Sequence, residues 1–137
     1  MPTEQAHPEP AQRLTFRKRH RLSRARDYQA AYRLGVRKGR GPFVLFVNPN
    51  GLGHCRLGLS LPRRVGNAVQ RNLIKRRLRE VFRLHKLEAP SGYDLVVAVR
   101  PHEPLTVDEY RKLLLDAWRA ADRVWAKRTN TADRDGE

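Results

Sequence analysis

A single cysteine and a single methionine stand among the 137 residues, and only 7% of the chain is aromatic. With Cys55 alone, no disulfide can close within the chain, which points to a reducing compartment, the cytoplasm. Cys55 itself reads as a small buried residue. Acid is scarce as well: 14 Asp and Glu stand against 29 Lys and Arg, a formal net charge of +15. Self-repulsion of that size calls for a polyanionic partner, and nucleic acid is the default. Apolar runs are short, none approaching the roughly 20 residues of a membrane-spanning helix, so no membrane partner is expected.

Catalytic apparatus is also missing. The five histidines, at positions 7, 20, 54, 85 and 102, have no metal-ligand spacing, and His54 beside Cys55 is a chance-grade pair. The acids are scattered, apart from Asp108-Glu109, which a helix cap explains. No glycine loop ends in Lys-Ser or Lys-Thr to cradle a phosphate. The expectation is a chain with no catalytic residue and no bound metal, binding a nucleic acid to assist another catalyst.

What is present is a concentration of arginine on one helix. From Gly66 to about Lys86 the chain carries good helix formers, with Asn67 as N-cap. Between Arg63 and Lys86 there are nine Lys or Arg residues and one acid, Glu80. At about 100° per residue, Arg71, Lys75, Arg76, Arg79, Arg83 and Lys86 fall within an arc of roughly 140°, with Asn72 inside it. Val69, Leu73, Ile74, Leu78 and Val81 then face inward, with Arg77 and Glu80 at the margins of that side. Like charges three and four apart destabilise a helix by a few tenths of a kcal/mol per pair, so such a face makes sense where an anion relieves it. Arginine's planar fork suits phosphate, and Asn72 can donate to phosphate or sugar oxygens.

Around this helix the chain reads as one domain. Residues 1–21 form an arm, acidic and proline-bearing at first with no signal-peptide pattern, then basic at Arg13, Arg17, Lys18, Arg19 and Arg21. The first dozen residues should be disordered. Residues 22–127 form the domain and 128–137 a polar tail. Ser23 caps a first helix ending at Gly35, with Tyr28 and Tyr32 four apart on one face, a spacing more typical of core. Strands follow at Val36–Arg40 and Pro42–Val47. The turn-rich Asn48–Gly53 reads as a hairpin loop returning the chain antiparallel into Cys55–Leu61. There Leu57, Leu59 and Leu61 alternate with Arg56, Gly58 and Ser60, so one sheet face is core and the other small and polar. An aromatic-bearing helix beside that open face would form a groove where an extended single strand stacks.

After the basic helix, Tyr93–Val99 is an apolar run typical of a central strand. Thr106 and Glu109 form a capping box that opens a last helix through Leu113, Leu114, Ala117, Trp118, Ala121 and Trp125. The order α-β-β-β-α-β-α gives an α+β fold, a mixed sheet of about four strands with helices packed on one face.

Leu57-Gly58-Leu59-Ser60, Arg63 to Val69, Arg71-Asn72, Lys75-Arg76 and Arg79-Glu80 together resemble the signature of the bacterial ribonuclease P protein subunit. The similarity runs from about Leu22 to Trp125, with Leu73 standing where the family's Arg-Asn-Arg core has its second arginine. The resemblance implies a fold like the second domain of a ribosomal small-subunit protein, with a left-handed crossover around the basic helix. The general rule for crossovers would give the opposite hand. It also implies two RNA partners, the ribonuclease P RNA and precursor tRNA, with Mg²⁺ held by the catalytic RNA and none by the protein, and no DNA. By that likeness Arg63, Arg64, Asn67, Arg71, Asn72, Lys75, Arg76, Arg79 and Arg83 would dock the catalytic RNA. Tyr28, Tyr32, Phe46 and Arg56 would line a groove for the 5′ leader of precursor tRNA. The alternatives are a ribosomal or rRNA-assembly protein and a DNA-binding module using the basic helix.

Overall fold

The structure is a computed structural model that describes residues 16–135, with side chains through Thr129. Three helices and four strands alternate along it: α1 (Ala25–Leu34), β1 (Val36–Arg40), β2 (Phe43–Pro49), β3 (Arg56–Ser60), α2 (Ala68–His85), β4 (Tyr93–Val99) and α3 (Val107–Asp135). The strands form one sheet in the order β1-β2-β4-β3. β1 pairs with β2 and β2 with β4 antiparallel, whereas β3 pairs with β4 in parallel.

That order corrects the expected hairpin between β2 and β3, which do not pair. β4 lies between them because Leu95, Val96 and Val97 are all fully buried and need both faces covered and a neighbour on each side. The Asn48–Gly53 turn instead arches over the start of β4. Asn50 holds it there, its backbone N–H donating to the Gly92 carbonyl (3.0 Å) and its amide to His54 O (3.1 Å) and Asp94 Oδ1 (3.0 Å).

Alternation along β4 also places helices on both sheet faces rather than one. Leu95 and Val97, with Leu45, Val47 and Leu57, join Ile74, Leu78, Val81 and Phe82 of α2 and Tyr110, Leu114 and Trp118 of α3 in the main core. Phe82 stacks on Trp118 with ring centroids 5.8 Å apart. On the opposite face Val96 meets Leu22 and Ala31 beneath α1, with Tyr28 and Phe46 packed alongside. α1 can settle this closely because it ends at Gly35, where a Cβ would stand 2.4 Å from the Ala31 carbonyl oxygen. Its N-cap is Arg24, with no side-chain hydrogen bond, and not Ser23.

The helix starts marked by capping boxes are as expected. Asn67 Oδ1 accepts from Gln70 N (2.8 Å) while Gln70 Oε1 accepts from Asn67 N (2.9 Å), and Thr106 and Glu109 do the same at α3. Two positions on the helical wheel differ. Val69 is 77% exposed, because the first turn of α2 overhangs the core. Lys86 is buried, turned away from the cationic face at the C-cap of α2. α3 continues as backbone helix to Asp135, through the stretch expected as a tail.

Residues 1–15 of the expected N-terminal arm lie outside the described residues, Arg13 included. The described part is fastened to the domain. Phe16 sits edge-on to Phe82 (5.6 Å), and Leu22 N–H donates to the Leu57 carbonyl (3.0 Å) beside a parallel bridge from Arg21 to Leu57. The arm therefore covers the outer edge of β3, which would otherwise offer unpaired backbone groups.

Candidate nucleic-acid interface

The core fixes which way α2 faces. With Ile74, Leu78, Val81 and Phe82 fully buried, Asn72 and Arg76 are exposed and Arg71, Lys75 and Arg79 stand half-buried around them. Arg63 and Arg64, on a short 3-10 turn just before α2, are exposed and continue the same basic surface. Among the described residues, none of Arg63, Arg64, Arg71, Lys75, Arg76 and Arg79 has an acidic partner within 4.0 Å, so their charge is available to an outside anion. Arg83 differs: its guanidinium meets Glu80 through two bonds of 2.8 Å. Asn67 is also partly engaged, its oxygen holding the cap. Arg77, at the margin, donates to the Leu105 carbonyl.

Phe16, Asn72, Arg76, Arg79, Glu80 and Arg83 line a cleft of about 440 Å³. Arg21 lies over the Phe16 ring, 5.0 Å from its centroid. Burial and the neighbouring Arg21 push the Arg79 pKa down, and the Tyr28 phenol opposes them. Arg79 is thus within electrostatic reach of Tyr28.

Register defines the groove beside α1. Arg37, Phe46, Val96 and Gly58 face one another across β1, β2, β4 and β3. The row beyond them is Gly39, Val44, Ala98 and Ser60, a floor of small side chains. Tyr28 lies over Gly58, where a Cβ would come within 2.8 Å of its ring and hydroxyl. Its hydroxyl donates to the Leu22 carbonyl (3.4 Å), and burial raises its pKa. Tyr32, 41% exposed, meets Phe46 edge-on with centroids 4.9 Å apart. All three expected aromatics therefore come together on one side of the sheet.

Arg56 reaches the same face but is already occupied. Its Nε and Nη2 donate to Asp94 Oδ1 (2.8 Å) and Oδ2 (2.7 Å), and Asp27 stands 3.6 Å from Nη1. The hydrogen bonds it donates to Asp94 are the main reason its pKa is raised. Asp94, the lone acid in an apolar strand, is the partner that sequence reading missed. Phe16 and Arg37 were also missed: Phe16 precedes the similarity read from sequence, and Arg37 carries no motif. Among the described residues, no three His, Cys, Asp or Glu side chains are grouped to hold a metal, and no helix is long and apolar enough to cross a membrane.

An α+β domain carrying unpaired cations along one helix, beside a sheet groove edged with aromatics, defines a class of single-stranded or structured RNA binders. Comparison with known proteins narrows it. The Ribonuclease P family profile matches residues 16–122. The ribonuclease P protein component of Staphylococcus carnosus is 40% identical over 98 residues, 71% of this chain and 85% of that relative. A solved Staphylococcus aureus RNase P protein mutant superposes with a TM-score of 0.69 at 32% identity, covering 77% of this chain and 90% of that one. The Thermotoga maritima RNase P protein, solved with a fluorophenyl thiourea, gives 0.67 at 34% identity over 72% and 97%. The chain belongs to the ribonuclease P protein family and is a protein subunit of that tRNA-processing ribonucleoprotein.

Proposed function

We propose that the chain docks on a catalytic RNA through Arg63, Arg64, Arg71, Asn72, Lys75, Arg76 and Arg79, and offers the groove at Tyr28, Tyr32 and Phe46 to the 5′ leader of precursor tRNA. The RNA performs the hydrolysis, with Mg²⁺ held by its phosphates, and the protein supplies no catalytic residue. The observation that carries this reading is that the cations on and just before α2 lack acidic partners among the described residues, in a domain whose sheet gathers Tyr28, Tyr32 and Phe46 on one side. One strand can then lie on stacking surfaces while its neighbour is held by arginine forks.

The physical contribution is charge compensation. Substrate and ribozyme are both polyanions, and a protein of charge +15 between them reduces their repulsion and the Mg²⁺ needed to offset it. Tyr28 and Tyr32 add selectivity, since each stacked base contributes about 1–3 kcal/mol and mature tRNA has no leader to stack. Mixing the protein with a ribonuclease P RNA and labelled precursor tRNA at low Mg²⁺ tests the reading. Leader release should appear only when the protein is present. Release that is equal with and without the protein contradicts it.

A further inference from the structure

The groove has a cation at each end, and only one of them belongs to α2. At the β3 edge it begins where Tyr28 lies over Gly58, with Arg79 of α2 within electrostatic reach. It then crosses the sheet past Phe46 and Tyr32, and at the β1 edge it ends in Arg37. Register pairs Arg37 with Phe46, so the two side chains share the groove face. The Arg37 guanidinium carbon stands 5.9 Å from the Phe46 ring centroid, and the residue is exposed. Among the described residues it has no acidic partner within 4.0 Å. Arg56, the other cation on this face, is neutralised by Asp94 and Asp27.

We infer that Arg37 is the outer phosphate clamp of this groove and sets how many leader nucleotides the protein reads. The inference rests on the reading that the groove takes the leader. A guanidinium laid over an aromatic ring keeps its N–H edge free, so it can hold a phosphate in a forked contact while the ring below stacks a base. Four strands span about 14 Å, room for a few stacked bases between Arg79 and Arg37. An extended strand that enters from the α2 side and outlasts the aromatic rings passes next to Arg37. Structure alone would give Arg37 a plainer role, an exposed cation–π contact that steadies the β1 edge and nothing else.

The two roles separate in one experiment on the holoenzyme, reconstituted with a ribonuclease P RNA. Dissociation constants are measured for precursor tRNAs whose leaders are lengthened one nucleotide at a time, and for mature tRNA. With the native protein, affinity should climb with leader length to a plateau. With Arg37→Gln, short leaders and mature tRNA should bind as before, while the plateau comes earlier and long leaders lose about 3- to 10-fold. The salt slope for long leaders should fall by about 0.7, the value for one phosphate on a single strand, and Arg37→Lys should restore it. Thermal midpoints confirm that both variants fold. Equal loss at every length, loss on mature tRNA, or no loss at all overturns the assignment of Arg37. If Tyr28→Ala abolishes the length dependence and Arg37→Gln leaves the plateau at its native length, only the clamp is wrong. If the native holoenzyme shows no length dependence, the leader groove fails and the clamp with it.

Discussion

Tyr28 rests on Gly58, one residue from α1 and one from β3, so closely that any Cβ at 58 would lie 2.8 Å from the phenol ring. The glycine is what lets an aromatic ring lie against a strand and form one side of a groove. Gly58→Ala pushes Tyr28 out of that position at a stability cost of about 1–3 kcal/mol from overpacking. Holoenzyme carrying this variant should lose preference for precursor over mature tRNA, measured as the ratio of the two dissociation constants. An unchanged ratio would mean that the ring is not a stacking surface.

Arg56 should behave as a structural residue. Its carboxylate partner Asp94 is buried, so Arg56→Ala leaves that charge with Asn50 as its remaining side-chain partner. A loss of about 2–4 kcal/mol is expected in chemical denaturation, since an uncompensated buried charge is costly. The salt slope of RNA binding should stay put, because the guanidinium is already neutralised. A fall in slope without a fall in stability would make Arg56 an RNA contact.

His20 gives the fold an acid-sensitive fastening. The Arg17 backbone N–H donates to its Nδ1 (2.9 Å), and Lys86 Nζ lies 3.4 Å from its Nε2. Burial first, then Lys86, Arg19, His54 and Arg17, lower its pKa from 6.5 to about 4. The unfolded chain therefore takes up a proton near pH 6.5 that the folded chain refuses until about 4. The stability held by neutral His20 is present above pH 6.5 and lost as pH falls to 4. Thermal midpoints across that window should fall more steeply for the native protein than for His20→Phe. Carboxylates such as Asp108 and Asp116, whose pKa values are lowered by Arg111 and Arg40, destabilise both proteins alike at lower pH. Parallel curves would show that His20 stays exposed to solvent.

The parts of this fold that were legible in the sequence are those written in local chemistry. Asn67 with Gln70 and Thr106 with Glu109 mark helix starts, and the apolar run at 93–99 marks a central strand. Neighbour relations were not legible. Alternation in β3 says which face is buried but not which strand lies alongside, so the turn-rich loop before it carries the same residues as a hairpin. The wheel placed Lys86 on the cationic face because it assumes a helix in isolation, whereas the docked arm brings His20 over the helix end. Tyr28 and Tyr32 carry the spacing of core residues, and only Gly58, thirty residues downstream of Tyr28, leaves the ring room at the surface. The family likeness places Arg56 in the groove, and nothing local in the sequence marks its partner Asp94, 38 residues away.

The cationic face of α2 is the feature on which the functional reading stands, and removing Arg71 and Arg79 together addresses it directly. Both lack an acidic partner among the described residues, so Arg71→Ala with Arg79→Ala deletes charge without stranding a carboxylate. Native RNA affinity should fall by roughly 10³-fold between 50 and 200 mM salt if six or more phosphates are neutralised, and the slope should be shallower by about two in the double variant. The decisive measurement is the Mg²⁺ concentration giving half-maximal leader cleavage by the reconstituted holoenzyme. The double variant should need clearly more Mg²⁺ than the native protein. An identical requirement, with the variant folded and bound, would contradict the account.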